Sequence, residues 1–300
     1  MKDTKNTPGD QAGGPDKTGA AEHHHDHGLA HAHSHDHAHE HHEHHEHLNH
    51  NHQHHDEEAG GPVLSVRAAS GLSGDMMLAG LAALAGLKDK ELNALVKELK
   101  LPALDDCLSL EPRSVNHIAG VGCRIELPRE HAHRSLADIR KIIADSTMPD
   151  AAKELSTRAF TILAEAEAAV HDKKTDEVSF HEVGALDSIL DTCMVCRIFT
   201  MLQPARFICS PLPVADGVIH CAHGQVPSPA PAVLRLLEGV PVCSFPGKGE
   251  TVTPTALSLL KALGVAFAGW PAMMVEKTVI SYGGKVFPDA PNGAVWALGK

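Results

Sequence analysis

Aromatic side chains are scarce in this chain: one Tyr, two Trp and seven Phe among 300 residues. Surfaces on which bases or cofactor rings could stack are correspondingly few. Long apolar runs are missing as well. No stretch of 18 apolar residues occurs, so no helix is expected to span a membrane. The opening segment, MKDTKNTPGDQAGGPDKTG, has no apolar core of the kind a secretion signal needs. Seven cysteines, an odd number, are scattered without a framework pattern, which points to reduced thiols and a cytoplasmic location. Positive charge is short too, with a formal net of −12. The first 60 residues hold 3 Lys or Arg against 12 Asp or Glu, and the remaining 240 hold 23 against 26. Without a basic patch, nucleic acid is not an expected partner. Neither a Walker A sequence nor a GxGxxG run is present.

Histidine is what the chain has in excess. Of 25 histidines, 18 fall between His23 and His55, in HHHDHGLAHAHSHDHAHEHHEHHEHLNHNHQHH. Neutral imidazole is a borderline ligand for Zn, Cu and Ni. His23, His24, His25, His41, His42, His44 and His45 form the densest groups. Asp26, Asp36, Glu40, Glu43 and Glu46 supply charge to neutralise a divalent ion. A purification tag or a solvated low-complexity run is the plainer explanation. The tract is longer and more irregular than a tag, and metal binding is the expectation.

Residues 1–60 have almost no large apolar side chains, so they are read as a disordered metal-binding tail. Residues 61–300 form the body, with 172–176 the candidate boundary between two lobes. A strand is expected at Val63 to Val66, then a helix capped by Ser73 and running through Leu84. Further helices are expected near 88–99, from Ser135, from Pro149 to His171, over Val183 to Leu202, at 231–238, and from Thr253-Pro254 to Leu263. Strands are expected near 107–112, 117–127, 177–180, 206–209, 272–282 and 293–298. Residues 210–229 read as a Pro/Gly-rich loop. Strands and helices mix without a regular βαβ repeat, so the fold class is α+β.

Chemistry concentrates in a few segments. In HEVGALDSILD (His181 to Asp191), Asp187 and Asp191 are four apart and share a helix face. Their neighbours are apolar, and an ionised carboxylate there is costly unless it is paired or on a metal. His181 and Glu182 stand at the start of the same face, so a metal or proton-transfer role is expected. Capping and cross-linking of the helix is the bland alternative. Cys193 and Cys196 form a mid-helix CxxC with no second pair, which reads as two small buried residues. His220 and His223 form an HxxH in the long loop, around Cys221. His131 and His133 precede a helix. Ser73 and Asp75 in SGLSGDM, and Thr253 and Thr255 in ETVTPT, sit at helix N-termini able to hold an anion, unless they are plain caps and turns.

The segments SGLSGDMML, HAHRSLADI, FHEVGALDSILD, SPLPVADGVIHCAHGQVPSPAP, ETVTPT and the final YGGK…PN, in this order, resemble the LarC-type nickel-insertion family over about residues 62–298. The resemblance implies a lyase-class nickel chelatase. Such an enzyme inserts Ni²⁺ into pyridinium-3,5-bisthiocarboxylic acid mononucleotide and so makes the nickel-pincer cofactor of a lactate racemase-type client enzyme. It implies that Ni²⁺ reaches two thiocarboxylate sulfurs and a ring carbon whose C–H proton a base removes. It assigns Ser73, Asp75, Thr253 and Thr255 to the substrate, and His181, Glu182, Asp187, Asp191, His220 and His223 to nickel or the proton. Two departures stand out. Arg67 occupies a strand position where the family usually has Asp. The family's further part, associated with CTP and Mn²⁺ or Mg²⁺, has no counterpart before Lys300, so a separate CTP-binding C-terminal polypeptide is expected. The competing readings are a non-enzymatic nickel or zinc store or delivery protein, a metal-dependent hydrolase, and an inactive paralogue acting as a partner subunit.

Overall fold

The computed structural model describes residues 60–127, 134–180, 184–221, 224–288 and 290–300. The histidine tract and His131, His133, His181, Glu182 and His223 lie outside them.

Seven helices are described: α1 (Gly74–Ala85), α2 (Asp89–Val96), α3 (Leu136–Asp145), α4 (Asp150–His171), α5 (Leu186–Leu202), α6 (Pro231–Leu236) and α7 (Pro254–Ala262). The strands are β1 (Val63–Ala68), β2 (Leu108–Val115), β3 (Ile118–Ile125), β4 (Arg134–Ser135), β5 (Ser179–Phe180), β6 (Arg206–Cys209), β7 (Leu212–Val214), β8 (Val218–Cys221), β9 (Gly224–Pro227), β10 (Val242–Ser244), β11 (Ala266–Phe267), β12 (Val275–Ser281) and β13 (Ala294–Gly299). Seven of them form one mixed sheet in the order β11-β6-β1-β13-β12-β3-β2. β1 is an interior strand, parallel to β6 and antiparallel to β13. Strand and helix runs are interleaved irregularly, as an α+β fold requires.

Helix α1 explains the layering. It packs against β3, β12 and β13 on one side and against α5 on the other. A helix covered on both sides must be apolar all round, and GDMMLAGLAALA is buried over nearly its whole length. Gly80 lets it approach the sheet: a Cβ there would meet the indole of Trp296 on β13. Gly86, with φ 73°, ends the helix in the left-handed conformation. Beyond α5 lies the long α4, which also touches α3, α6 and α7. Cys193 and Cys196 sit on α5 fully buried. Burial pushes the Cys193 thiol up to about 12 and raises that of Cys196 as well, so neither is a reactive thiol.

One expectation needs correction. The stretch 210–229 is not a featureless loop. It holds β7, which pairs with β10, and an antiparallel hairpin of β8 and β9 with His220 opposite Gln225. The prolines and glycines that read as loop punctuate strands too short to show an alternating pattern.

Candidate active site

Three helices present their first turns to one cavity of about 600 Å³. Ser73, Gly74 and Asp75 of α1, Ala185 to Ser188 of α5, and Thr253 and Thr255 of α7 all border it. Local sequence makes each turn. Ser73 is extended at the N-cap of α1, and its hydroxyl donates to Asp75 Oδ1. Thr253 Oγ1 accepts from Ala256 N at 3.2 Å, with Pro254 fixing the first turn of α7. Asp187 Oδ1 accepts from Ser188 N at 2.8 Å. The opening N–H groups of a helix have no partner within it, so three sets of donors surround this space.

Asp191 stands one turn along α5, on the same face as Asp187. The side chain is partly open to the cavity, yet Oδ1 is enclosed and has no hydrogen-bond partner. Burial, then the negative charges of Asp75 and Asp187, hold its carboxyl well above the usual carboxylate range. Gly74 makes room for it: a Cβ there would stand 2.6 Å from Asp191 Oδ2. Cys123, on β3, also lines the cavity. Its thiol is raised by burial and then by Asp191 and Asp75, with Arg113 opposing. Among the described residues no group of three or more His, Cys, Asp or Glu side chains could hold a metal ion. A cation here would need ligands from elsewhere.

The structure thus brings together Ser73, Asp75, Asp187, Asp191, Thr253 and Thr255. His220 is not with them. It is exposed on the β8–β9 hairpin, its Nε2 3.1 Å from Gln225 Nε2. Leu127 and Ala185 border the cavity, so two chain segments that pass out of the described residues leave or return there. Their other flanks meet as well. Arg134 and Ser135 pair with Phe180 and Ser179, and Arg134 donates to the Gly184 carbonyl at 2.8 Å.

Arg67 does not line this space. Its guanidinium donates to the carbonyls of Ala268 (2.7 Å) and Gly269 (2.6 Å) and to Ser65 Oγ (3.0 Å), and lies 4.9 Å from the Trp270 ring centroid. The sequence reading missed Cys123. Its only signal is an inward position on β3, legible once α1 is known to cover that strand.

A mixed sheet covered by α1, with an acidic cavity at three helix N-termini, is the scaffold on which SGLSGDM, ALDSILD and ETVTPT meet. The family described as nickel insertion protein matches residues 64–298, and the chain belongs to it. A "Putative nickel insertion protein" of Geobacter metallireducens is 39% identical over 223 residues, 74% of this chain and 57% of the relative. One of Myxococcus xanthus with the same description is 40% identical over 243 residues, covering 79% and 60%. A pyridinium-3,5-bisthiocarboxylic acid mononucleotide nickel insertion protein of Staphylococcus epidermidis is 35% identical over 223 residues, covering 74% and 55%. The chain therefore spans little more than half the length of these curated relatives. No solved structure matches.

Proposed function

We propose that this chain inserts Ni²⁺ into pyridinium-3,5-bisthiocarboxylic acid mononucleotide, as the name of its Staphylococcus epidermidis relative states for that protein. The observation that carries the reading is the cavity itself. Six residues assigned to substrate or nickel from separate sequence segments border one space, and one of them, Asp191, has an enclosed Oδ1 without a hydrogen-bond partner.

In this reading Ser73, Asp75, Thr253 and Thr255 hold the anionic substrate at the first turns of α1 and α7. Asp187 and Asp191 face the incoming Ni²⁺. Two carboxylates are an incomplete shell, and the thiocarboxylate sulfurs of the substrate supply the softer donors that nickel accepts. Bond formation from nickel to the ring carbon uses the electron pair of the C–H bond and releases its proton to a base. His181, Glu182 and Asp187 are the proposed candidates for that transfer, and His131 and His133 for nickel. His220, on the hairpin apart from the cavity, and His223 are also proposed to bind nickel. CTP, with Mn²⁺ or Mg²⁺, is the proposed cosubstrate through a CTP-binding part, and the product goes to a nickel-pincer client enzyme in the cytoplasm. No described helix is long and apolar enough to cross a membrane.

The test is a reaction of the purified chain with Ni²⁺ and the bisthiocarboxylate mononucleotide, with and without CTP and Mn²⁺, read by mass spectrometry. The expected product has gained nickel and lost the ring proton, and Asp187→Asn abolishes it with the fold intact. Absence of nickel-bearing product under every condition overturns the proposal.

A further inference from the structure

The cavity is electrostatically two-sided. Its large lobe is bordered by Asp75, Asp187 and Asp191, and by no lysine or arginine among the described residues. A smaller lobe of about 250 Å³ shares Ser73, Asp75 and Thr253 with it and extends to Glu250 and Tyr282–Lys285. Lys285 is the one cation bordering either lobe among the described residues.

That lysine is held in place. Nζ donates to the carbonyls of Lys248 (2.9 Å) and Glu250 (3.1 Å) and lies 4.6 Å from the Phe287 ring centroid. An ammonium has three N–H bonds, so one remains for a ligand. Two hydroxyls nearby are engaged as acceptors, leaving their hydrogens to donate. Ser70 Oγ accepts from Gly293 N at 2.9 Å, and Thr253 Oγ1 accepts from Ala256 N. Gly283 lets the 282–285 loop close on α1, since a Cβ there would stand 3.1 Å from Met76 Sδ and 3.4 Å from Ser73 Oγ. The Glu250 carboxylate is the counterweight. It acts electrostatically on Lys285, and with Asp75 it sets two acids against one ammonium in the small lobe; the contrast is that the large lobe has no cation at all among the described residues.

We infer that the cavity takes a pyridinium mononucleotide in one orientation, its phosphate in the small lobe on Lys285, Ser70 and Thr253, and its ring among Asp75, Asp187 and Asp191. The inference rests on the mononucleotide reading above. In the reverse orientation the phosphate would face Asp187 and Asp191 with no cation beside them, and the two thiocarboxylates, with the Ni²⁺ they bind, would have to collect beside the lysine. Like charges repel strongly in a partly desolvated space, and the orientation follows from that.

The experiment is calorimetry on the full chain, without nickel, using nicotinic acid mononucleotide and the same compound lacking its phosphate. The wild type is expected to prefer the mononucleotide by about tenfold or more, the worth of a charge-assisted contact. Lys285→Gln should erase most of that preference and leave affinity for the riboside unchanged. Lys285→Arg should retain it, and Glu250→Gln should enlarge it. An undiminished preference in Lys285→Gln overturns the inference, as does failure of the wild type to bind either compound. Equal loss of both ligands in Lys285→Gln also overturns it, because Lys285 would then only tether the 248–250 loop. A wild type that keeps the phosphate preference yet forms no nickel-bearing product sinks the proposed function and leaves the orientation standing.

Discussion

A carboxyl on the inner face of α5 must hold a proton or meet a cation. Asp191 is raised well above its ordinary value by burial and by Asp75 and Asp187, whereas in the unfolded chain an aspartate titrates near ~3.9. Between those two values the folded chain binds more protons than the unfolded one. Stability therefore falls as pH rises through that window. Asp191→Asn removes the titration. Its melting temperature at pH 7.5, without metal, is expected to exceed that of the wild type, with the difference shrinking toward pH 4. Thermal melts at the two pH values check this, and a variant less stable at neutral pH would refute it. Asp191 and Asp187 were legible in the sequence because two acids four apart stood in an apolar helix. Arg67 was legible only as a departure from the family pattern. Its two carbonyl partners are 201 and 202 residues further along the chain, and nothing local to β1 announces where residues 268 and 269 come to lie.

The elements that build the cavity depend on close approaches. Helix α1 rests on β13 through Gly80 and Trp296, whose Nε1 donates to Ser281 Oγ at 2.8 Å. Gly80→Ala would drive a methyl into the indole. Either Trp296 shifts and loses that bond, or α1 lifts from the sheet. Overpacking of this kind costs about 1–3 kcal/mol, which urea unfolding would measure. A neutral or stabilising change would mean that the helix has slack. Helices were readable because their caps and periods are local: Ser135 accepts from Asp138 N at the start of α3, as its sequence predicts. Short strands such as β7, β10 and β11 were not, because two to four residues carry too little pattern to distinguish strand from loop. What the sequence could not show was convergence. Ser73, Asp187 and Thr253 are more than 60 residues apart from one another in the chain, and only the packing of α1, α5 and α7 puts their first turns around one space.

At the scale of the whole chain the charge is uneven, and so is the proposed division of labour. The first 60 residues hold most of the histidine and most of the net negative charge, while the cavity belongs to the body. In that proposal the tail is a reservoir that raises the local nickel concentration without entering the chemistry. A chain of residues 61–300 is expected to keep nickel insertion at saturating Ni²⁺ and to lose the bulk binding of several Ni²⁺ or Zn²⁺ ions. That bulk binding has a predictable pH dependence. Imidazole ligates through a lone pair that protonation removes, and its ordinary pKa is ~6.5. Most of the sites should be populated at pH 7.5 and most empty at pH 5.5, whereas carboxylates, ionised at both, would keep their ions. Calorimetric titration of the full chain at the two pH values separates the cases. Equal stoichiometry at both would transfer the binding from the 18 histidines to the acids between them. Loss of insertion on removing residues 1–60, even at saturating Ni²⁺, would make the tail a working part of the site rather than its reservoir.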